Sequence, residues 1–412
     1  MKIFNIKNYA ICLVVTILFA CLRILDPFFI ETARLKGLDY YQNAQEKVKS
    51  ENIAIIEIDE DSLDEYGQWP WKRDLIAQGI IKAYESGAQL VVVPILFAEK
   101  DRLGGDQELI ELLNEAPVII GQSASTKGKG DPVPRGLATI GESLDGWLFD
   151  YPEAIGPVKE LGEVAAGVGM ILTAPELDGV VRRMPLVIQI KGEAYPTIPL
   201  EVIRLFSGEQ SYQAKVSEAG VEAIRVPGFD PIVTDENSRV WVNFKYEFDK
   251  VSFKDADWSA VQDKIAVIGI TGEGLANTIA TSTGISYGHE VNCHALQMII
   301  DESRLVRPAE AKLLEVLITA AFCSLLIIGA LFLSYKFSFI LIVLSLAAGP
   351  IIGNILFNKH GWLIDYTWPF ACIFVVWSCA TFIRYIAESK SKKLIKKLDN
   401  CMEFLIFNKI LY

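Results

Sequence analysis

Uncharged apolar stretches lie at the two ends of this chain and nowhere between them. Residues 316–333, 337–357 and 366–383 contain no charged side chain. A helix crosses the hydrocarbon core of a bilayer in about 20 residues, so each stretch is long enough to span. At the other end, residues 9–22 are uncharged before Arg23 interrupts. That length suits either a short retained helix, with Arg23 snorkelling toward the headgroups, or the apolar core of a cleaved secretory signal. Leu18-Phe19-Ala20-Cys21 even has the outline of a lipoprotein cleavage box, although Phe19 is bulky for it. The retained helix is the better reading. The expected spans are residues 9–25, 313–333, 337–357 and 362–383.

Orientation follows from the lysines. Lys2 and Lys7 precede the first apolar stretch, and Arg384, Lys390, Lys392, Lys393, Lys396 and Lys397 follow the last. Positive flanks stay in the cytoplasm. Four spans return both ends to one side, so residues 1–8 and the basic tail 384–412 are expected inside. Residues 26–312 are then expected outside an inner membrane. This middle region holds 27 Lys and Arg against 46 Asp and Glu, a net of −19. Such acidity argues against a nucleic-acid partner, whose phosphates need a basic face. Of seven cysteines only Cys293 falls in the middle region, so no disulfide can staple it. Its core must hold the domain, and the region is large enough for that.

The middle region reads as α/β with a mixed, partly parallel sheet and flanking helices. Residues 53–58 (IAIIEI), 90–93 and 118–120 are short apolar runs expected as buried strands. Residues 75–86 and 106–115 have helical spacing, and Gly87 is placed to stop the first of them. Strand–helix–strand–helix–strand implies right-handed crossovers and parallel pairing. Residues 165–172 and 180–190 flank Asp178-Gly179, which predicts an antiparallel pair. Further strands are expected at 240–244 and 264–270, and helices at 196–207 and 289–301. Residues 125–134, rich in Lys, Gly and Pro, are expected to be irregular.

Three segments invite a chemical reading, each beside a plainer one. Trp69-Pro70-Trp71, near Arg73 and downstream of Asp59, offers rings to stack on a ligand and a guanidinium to pair with a carboxylate or phosphate. A packed aromatic turn, with Asp74 or a neighbour capping the next helix, explains the same residues more simply. Gly272-Glu273-Gly274 follows a strand and is placed to cradle an anion, but Glu273 opposes that and no Gly-Lys-Ser/Thr is present. His289 and Cys293 share a helix face at i, i+4, a spacing that suits zinc. No third ligand is evident, and a helix packed on the sheet is the better reading. No cofactor is implied. In the membrane region, Pro350 is expected to kink its helix, and Gly349 and Gly353 allow close helix approach, within the cluster or in a homodimer.

The segments Ile58-Asp59-Glu60-Asp61-Ser62-Leu63 and Tyr66-Gly67-Gln68-Trp69-Pro70-Trp71-Lys72-Arg73 resemble the opening of the type-two CHASE domain. That is an extracellular sensory module of bacterial cyclases and kinases. Asp178-Gly179-Val180-Val181-Arg182-Arg183 and His294-Ala295 agree with it, over about residues 26–307. Pro94 and Asn277 depart from positions more often acidic in the family. The resemblance implies a membrane sensor for a small-molecule or peptide signal, not an enzyme. Its expected partners are the lipid bilayer, a second copy of the chain, or a separate cytoplasmic output protein. A truncated or frameshifted cyclase or kinase fragment, and a metal-dependent hydrolase using His289 and Glu290, are the alternatives.

Overall fold

The computed structural model describes residues 10–308 and 310–411. These form two compact units: the segments up to Tyr41 and from Arg307 onward make one, and Gln42–Val306 the other.

The chain enters through α1 (Ala10–Leu25) and α2 (Phe28–Asn43), which meet at 83°. Asp26 and Pro27 occupy the break, and Pro27 cannot continue the α1 hydrogen-bond ladder. α1 has 16 residues, about 24 Å at 1.5 Å per residue, short of the ~30 Å hydrocarbon core. Lys2, Lys7 and Tyr9 lie outside the described residues.

The second unit comes next. Its first half is β1 (Val48–Ile58), α3 (Glu60–Tyr66), α4 (Arg73–Glu85), β2 (Leu90–Leu96), α5 (Asp106–Glu115), β3 (Val118–Ser125), β4 (Leu137–Gly141), β5 (Asp150–Tyr151), β6 (Glu153–Ile155), α6 (Lys159–Val164) and β7 (Gly167–Met170). Then come β8 (Arg183–Pro185), β9 (Val187–Ile190), β10 (Glu193–Pro196), α7 (Ile198–Ser207), β11 (Tyr212–Ser217), β12 (Gly220–Arg225), β13 (Ile232–Val233) and β14 (Arg239–Trp241). The unit ends with β15 (Tyr246–Ser252), β16 (Ile265–Ile270), β17 (Thr278–Thr281), β18 (Gly284–Tyr287) and α8 (Gly288–Ile300).

The main sheet runs β15-β1-β16-β2-β3-β6, with β7 also beside β3. Every pair in it is parallel except β3 with β6. Its strands are continuously apolar because both faces are covered. Alternate side chains then serve two cores. Ile53, Ile55, Val92, Ile119 and Val267 join one core with residues of α7 and α8. Ala54, Ile56, Ile58, Val91, Val93, Ile120 and Ile268 join the other with residues of α4, α5 and α6. Fully burying a side chain such as Ile55 contributes roughly 1.5–3 kcal/mol.

One expectation needs correction. The 165–172 and 180–190 segments do not pair with each other. β7 joins the main sheet parallel to β3, whereas β8 pairs with β14 and β9 with β10. Asp178-Gly179 does make a tight turn, with Gly179 at φ +79°. Ion pairs then divert the chain: Arg182 to Asp178 at 2.9 Å, and Arg183 to Glu176 at 2.6 Å and Asp235 at 3.1 Å. Gly169 opens β7 to α7 instead, since a Cβ there would lie 2.7 Å from Ile198 Cα. The parallel sheet is present, and its strand order is set by a later strand. β1 and β2 are parallel but not adjacent, because β16 lies between them. Pro94 falls within β2, beside a register shift against β3, which fits its missing N–H.

The first unit resumes with α9 (Ala311–Phe332), α10 (Tyr335–His360) and α11 (Thr367–Leu411). Among the described residues three helices are long and apolar enough to cross a membrane, or up to four if the bent α1–α2 pair is one span. α11 continues without a break through the lysine-rich stretch. Cys12, Cys323, Leu326, Cys372, Ile373 and Val376 bring α1, α9 and α11 together. The Cys323 and Cys372 sulfurs stay reduced, 3.6 Å apart. Gly353 of α10 faces Tyr41, whose hydroxyl would lie 1.9 Å from a Cβ there. The small-residue notch is therefore filled from within the unit.

Arg23 does not snorkel. It is 1% exposed and donates to Asp26 at 2.7 Å and Glu315 at 2.9 Å, with Asp365 at 3.8 Å. Arg34 also binds Asp26, and Arg307 also binds Glu315. With Glu31 3.7 Å from Arg34, three arginines and four carboxylates thus form one cluster joining α1, α2, α9 and the turn before α11.

Candidate functional site

The Trp-Pro-Trp turn is packed. Trp71 is 6% exposed, donates its Nε1–H to the Gly67 carbonyl at 2.6 Å, and lies 5.1 Å from the Phe253 ring. Trp69 covers Trp71 at 5.7 Å. Arg73 is buried over Phe97, ion-paired with Asp106 and bonded to the Glu99 carbonyl. Its head has partners already and ties α4 to the loop before α5. Asp74 does not cap α4. Its carboxylate takes Lys72 Nζ at 2.6 Å, and Asp101 Oδ2 accepts the Arg73 backbone N–H at 2.8 Å.

Asp59 is the N-cap of α3. Its Oδ1 accepts the Ser62 N–H at 2.9 Å, the Ser62 hydroxyl at 2.6 Å and the Ser252 hydroxyl at 2.9 Å. Burial pushes this carboxyl up, but those hydrogen bonds outweigh it and hold it below the usual range. The Gly272–Gly274 loop already has its anion. The Glu273 N–H donates to the Glu60 carboxylate, and Gly272 N–H to the Ile58 carbonyl at 3.1 Å. A Cβ on Gly272 would meet Leu63 at 2.6 Å, while Gly274 supplies the left-handed turn at φ +75°. Asp59, Gly272 and Gly274 therefore gather at the carboxyl ends of β1 and β16, held by contacts within the chain.

His289 and Cys293 lie on α8 as expected but face the sheet. His289 stacks on Tyr287 at 5.6 Å, and only a glycine at 269 leaves room for its ring. Burial lowers His289 to about 4 and pushes the Cys293 thiol up, so no thiolate is available at neutral pH. Glu290 is engaged by Lys250 at 2.6 Å and Ser286 at 2.7 Å, closing a capping box at the start of α8. Among the described residues no group of three or more His, Cys, Asp or Glu is placed to hold a metal ion.

A cleft of about 480 Å³ lies elsewhere, lined by Arg135, Leu137, Thr139, Asp145, Gln189 and Glu193 among others. Leu137 and Thr139 share one face of β4 by strand alternation, and Arg135 lies just before the strand. The Arg135 N–H bonds the Ala194 carbonyl at 3.0 Å, joining the approach to β4 to β10. Leu137, Leu144 and Leu148 set the cleft on the main core.

Behind it is a buried network. Glu201 is fully buried and takes Arg204 Nε at 3.0 Å and Nη2 at 2.9 Å, with Tyr212 donating its hydroxyl to the same carboxylate. Burial, then the Glu201 charge, push the Tyr212 phenol up, so it remains neutral. Arg135 Nε lies 3.5 Å from Glu201 Oε1 yet has no hydrogen-bond partner. Two guanidiniums thus share one carboxylate. Sequence reasoning missed this cleft because its walls come from separate segments. The one local signal was Arg135 itself, isolated in a Pro- and Gly-rich stretch.

A family profile, the CHASE2 domain, matches residues 11–331. The match extends beyond 26–307 to take in α1 and nearly all of α9. Comparison with curated proteins and with solved structures returns no match. With the matched stretch covering well over half of the chain, and the Trp-Pro-Trp and Asp-Gly-Val-Val-Arg-Arg segments inside it, the chain belongs to the CHASE2 domain family.

Proposed function

We propose that this protein is a multi-pass inner-membrane sensor in a bacterial signalling system. Its Gln42–Val306 unit lies outside the membrane and binds a small-molecule or peptide signal. The helices of the other unit carry the response inward, to a cytoplasmic output partner or a second copy of the chain. The observation that carries this reading is the sensory-family match over residues 11–331, running directly into apolar helices of spanning length. The lysines after Arg384 agree with that orientation. Coupling requires the signal to bind one arrangement of the helices better than another.

Thiol labelling of intact cells tests the topology. Leu177 is 83% exposed and Cys401 is exposed. In a Cys21→Ser background, the thiol introduced by Leu177→Cys should react with a membrane-impermeant maleimide in intact spheroplasts. Cys401 should react only after permeabilisation. The opposite pattern overturns the reading.

A further inference from the structure

We infer that the Arg135 cleft is the signal-binding site and that its ligand is a small zwitterion, a free amino acid or a short peptide with unblocked ends. This rests on the sensor reading and names the ligand class for it.

Charge selects the ligand class. Arg135, Arg204 and Glu201 carry one positive charge more than they cancel, and neutral Tyr212 adds none. Arg204 is saturated: it also donates to the Glu209 carbonyl at 2.9 Å and the Ala166 carbonyl at 2.8 Å. The excess therefore falls on Arg135, which lines the open cleft with its side chain 24% exposed while its buried Nε faces Glu201. A carboxylate is the natural complement of a guanidinium fork.

A simple anion is nevertheless a poor ligand. Asp145 and Glu193 line the same cleft, both are exposed, and the surrounding region is strongly acidic. These carboxylates suit an ammonium group. A ligand with one charge of each sign satisfies both ends, with Thr139 and Gln189 available to its polar backbone and Leu137 to an apolar part. The volume of about 480 Å³ lies within the roughly 300–1,000 Å³ of small-ligand sites.

The experiment measures thermal unfolding and equilibrium binding on the full chain in nanodiscs. Its probes are the twenty amino acids, trialanine, N-acetyl-trialanine, and trialanine blocked at both ends. At least one free amino acid, or trialanine, should raise the unfolding temperature, and the doubly blocked peptide should not. Arg135→Gln should weaken that binding roughly ten- to a hundredfold, the loss of a charge-assisted fork. Asp145→Asn with Glu193→Gln alters only exposed rim groups, so it reports even if Arg135→Gln fails to fold. It should weaken trialanine while strengthening N-acetyl-trialanine, which keeps only the carboxylate.

Three results would overturn the assignment: no stabilisation by any unblocked probe, equal stabilisation by the doubly blocked peptide, or binding unchanged in the rim variant. Labelling at Leu177→Cys is independent of all three, so failure here leaves the topology standing and failure there is seen separately.

Discussion

Arg23 interrupts an apolar helix, and the residue alone cannot tell whether its head seeks water or a partner. The partners, Asp26, Glu315 and Asp365, are mostly remote in sequence, so the cluster was not legible. Leaving a buried charge unpaired costs about 3–5 kcal/mol. Arg23→Met should therefore lower the unfolding temperature of the detergent-solubilised chain sharply. Adding Glu315→Gln should recover part of the loss, because the cluster regains its original net charge. A double variant less stable than Arg23→Met would contradict this account.

His294 makes a pH-dependent prediction. It is caged by Phe244 at 5.1 Å and Phe248 at 5.0 Å, and burial lowers it from the ordinary 6.5 to about 3. His289 is lowered to about 4. Each is neutral in the fold but takes a proton on unfolding below pH 6.5, so the unfolded state binds more protons there. Their contribution is full above pH 6.5 and is lost progressively as the pH falls toward about 4 for His289 and about 3 for His294. Unfolding temperatures measured across that range should fall with acidification, and His294→Phe should flatten the slope. An unchanged slope would show that His294 does not titrate in this way.

At the scale of elements, long patterned segments were readable and pairings were not. The 106–115 helix and the 53–58 and 264–270 strands appear nearly where their periodicity puts them. Parallel pairing was also readable, from the alternation of strands with helices. The place of β16 was not, since an apolar strand carries no label for its neighbour. The supposed hairpin around Asp178-Gly179 failed for a related reason: turn residues fix a turn, while Arg182 and Arg183 decide where the chain goes after it. Gly169 shows the same tertiary control, because α7 lies against its Cα. Gly169→Val should destabilise the chain by about 1–3 kcal/mol through overpacking. Denaturant unfolding checks this, and no loss would mean that α7 is free to shift.

Over the whole molecule, the sequence was most informative where composition changes abruptly. The two compact units divide at Tyr41–Gln42 and Val306–Arg307, whereas the composition changes near residues 26 and 312. The difference arises because α2 has an ordinary polar composition yet belongs, through Tyr41 and its contacts with Phe357 and Tyr366, to the helical unit. The family motifs were legible as markers of kinship but not as a binding site. Trp71, Arg73 and Asp59 occupy structural roles, and the cleft lies among residues that no motif singles out.

The position of β16 has a consequence for biogenesis. Ile53 pairs with Ile265 and Leu90 also pairs with Ile265, so the middle of the sheet is closed by almost the last strand to leave the ribosome. Until then β1 and β2 have no shared neighbour, and each presents an open edge able to capture another chain. Pairings this distant along the chain make acquisition of the native state slow. A nascent chain stalled before residue 265 is thus the species with most to gain from a holding chaperone.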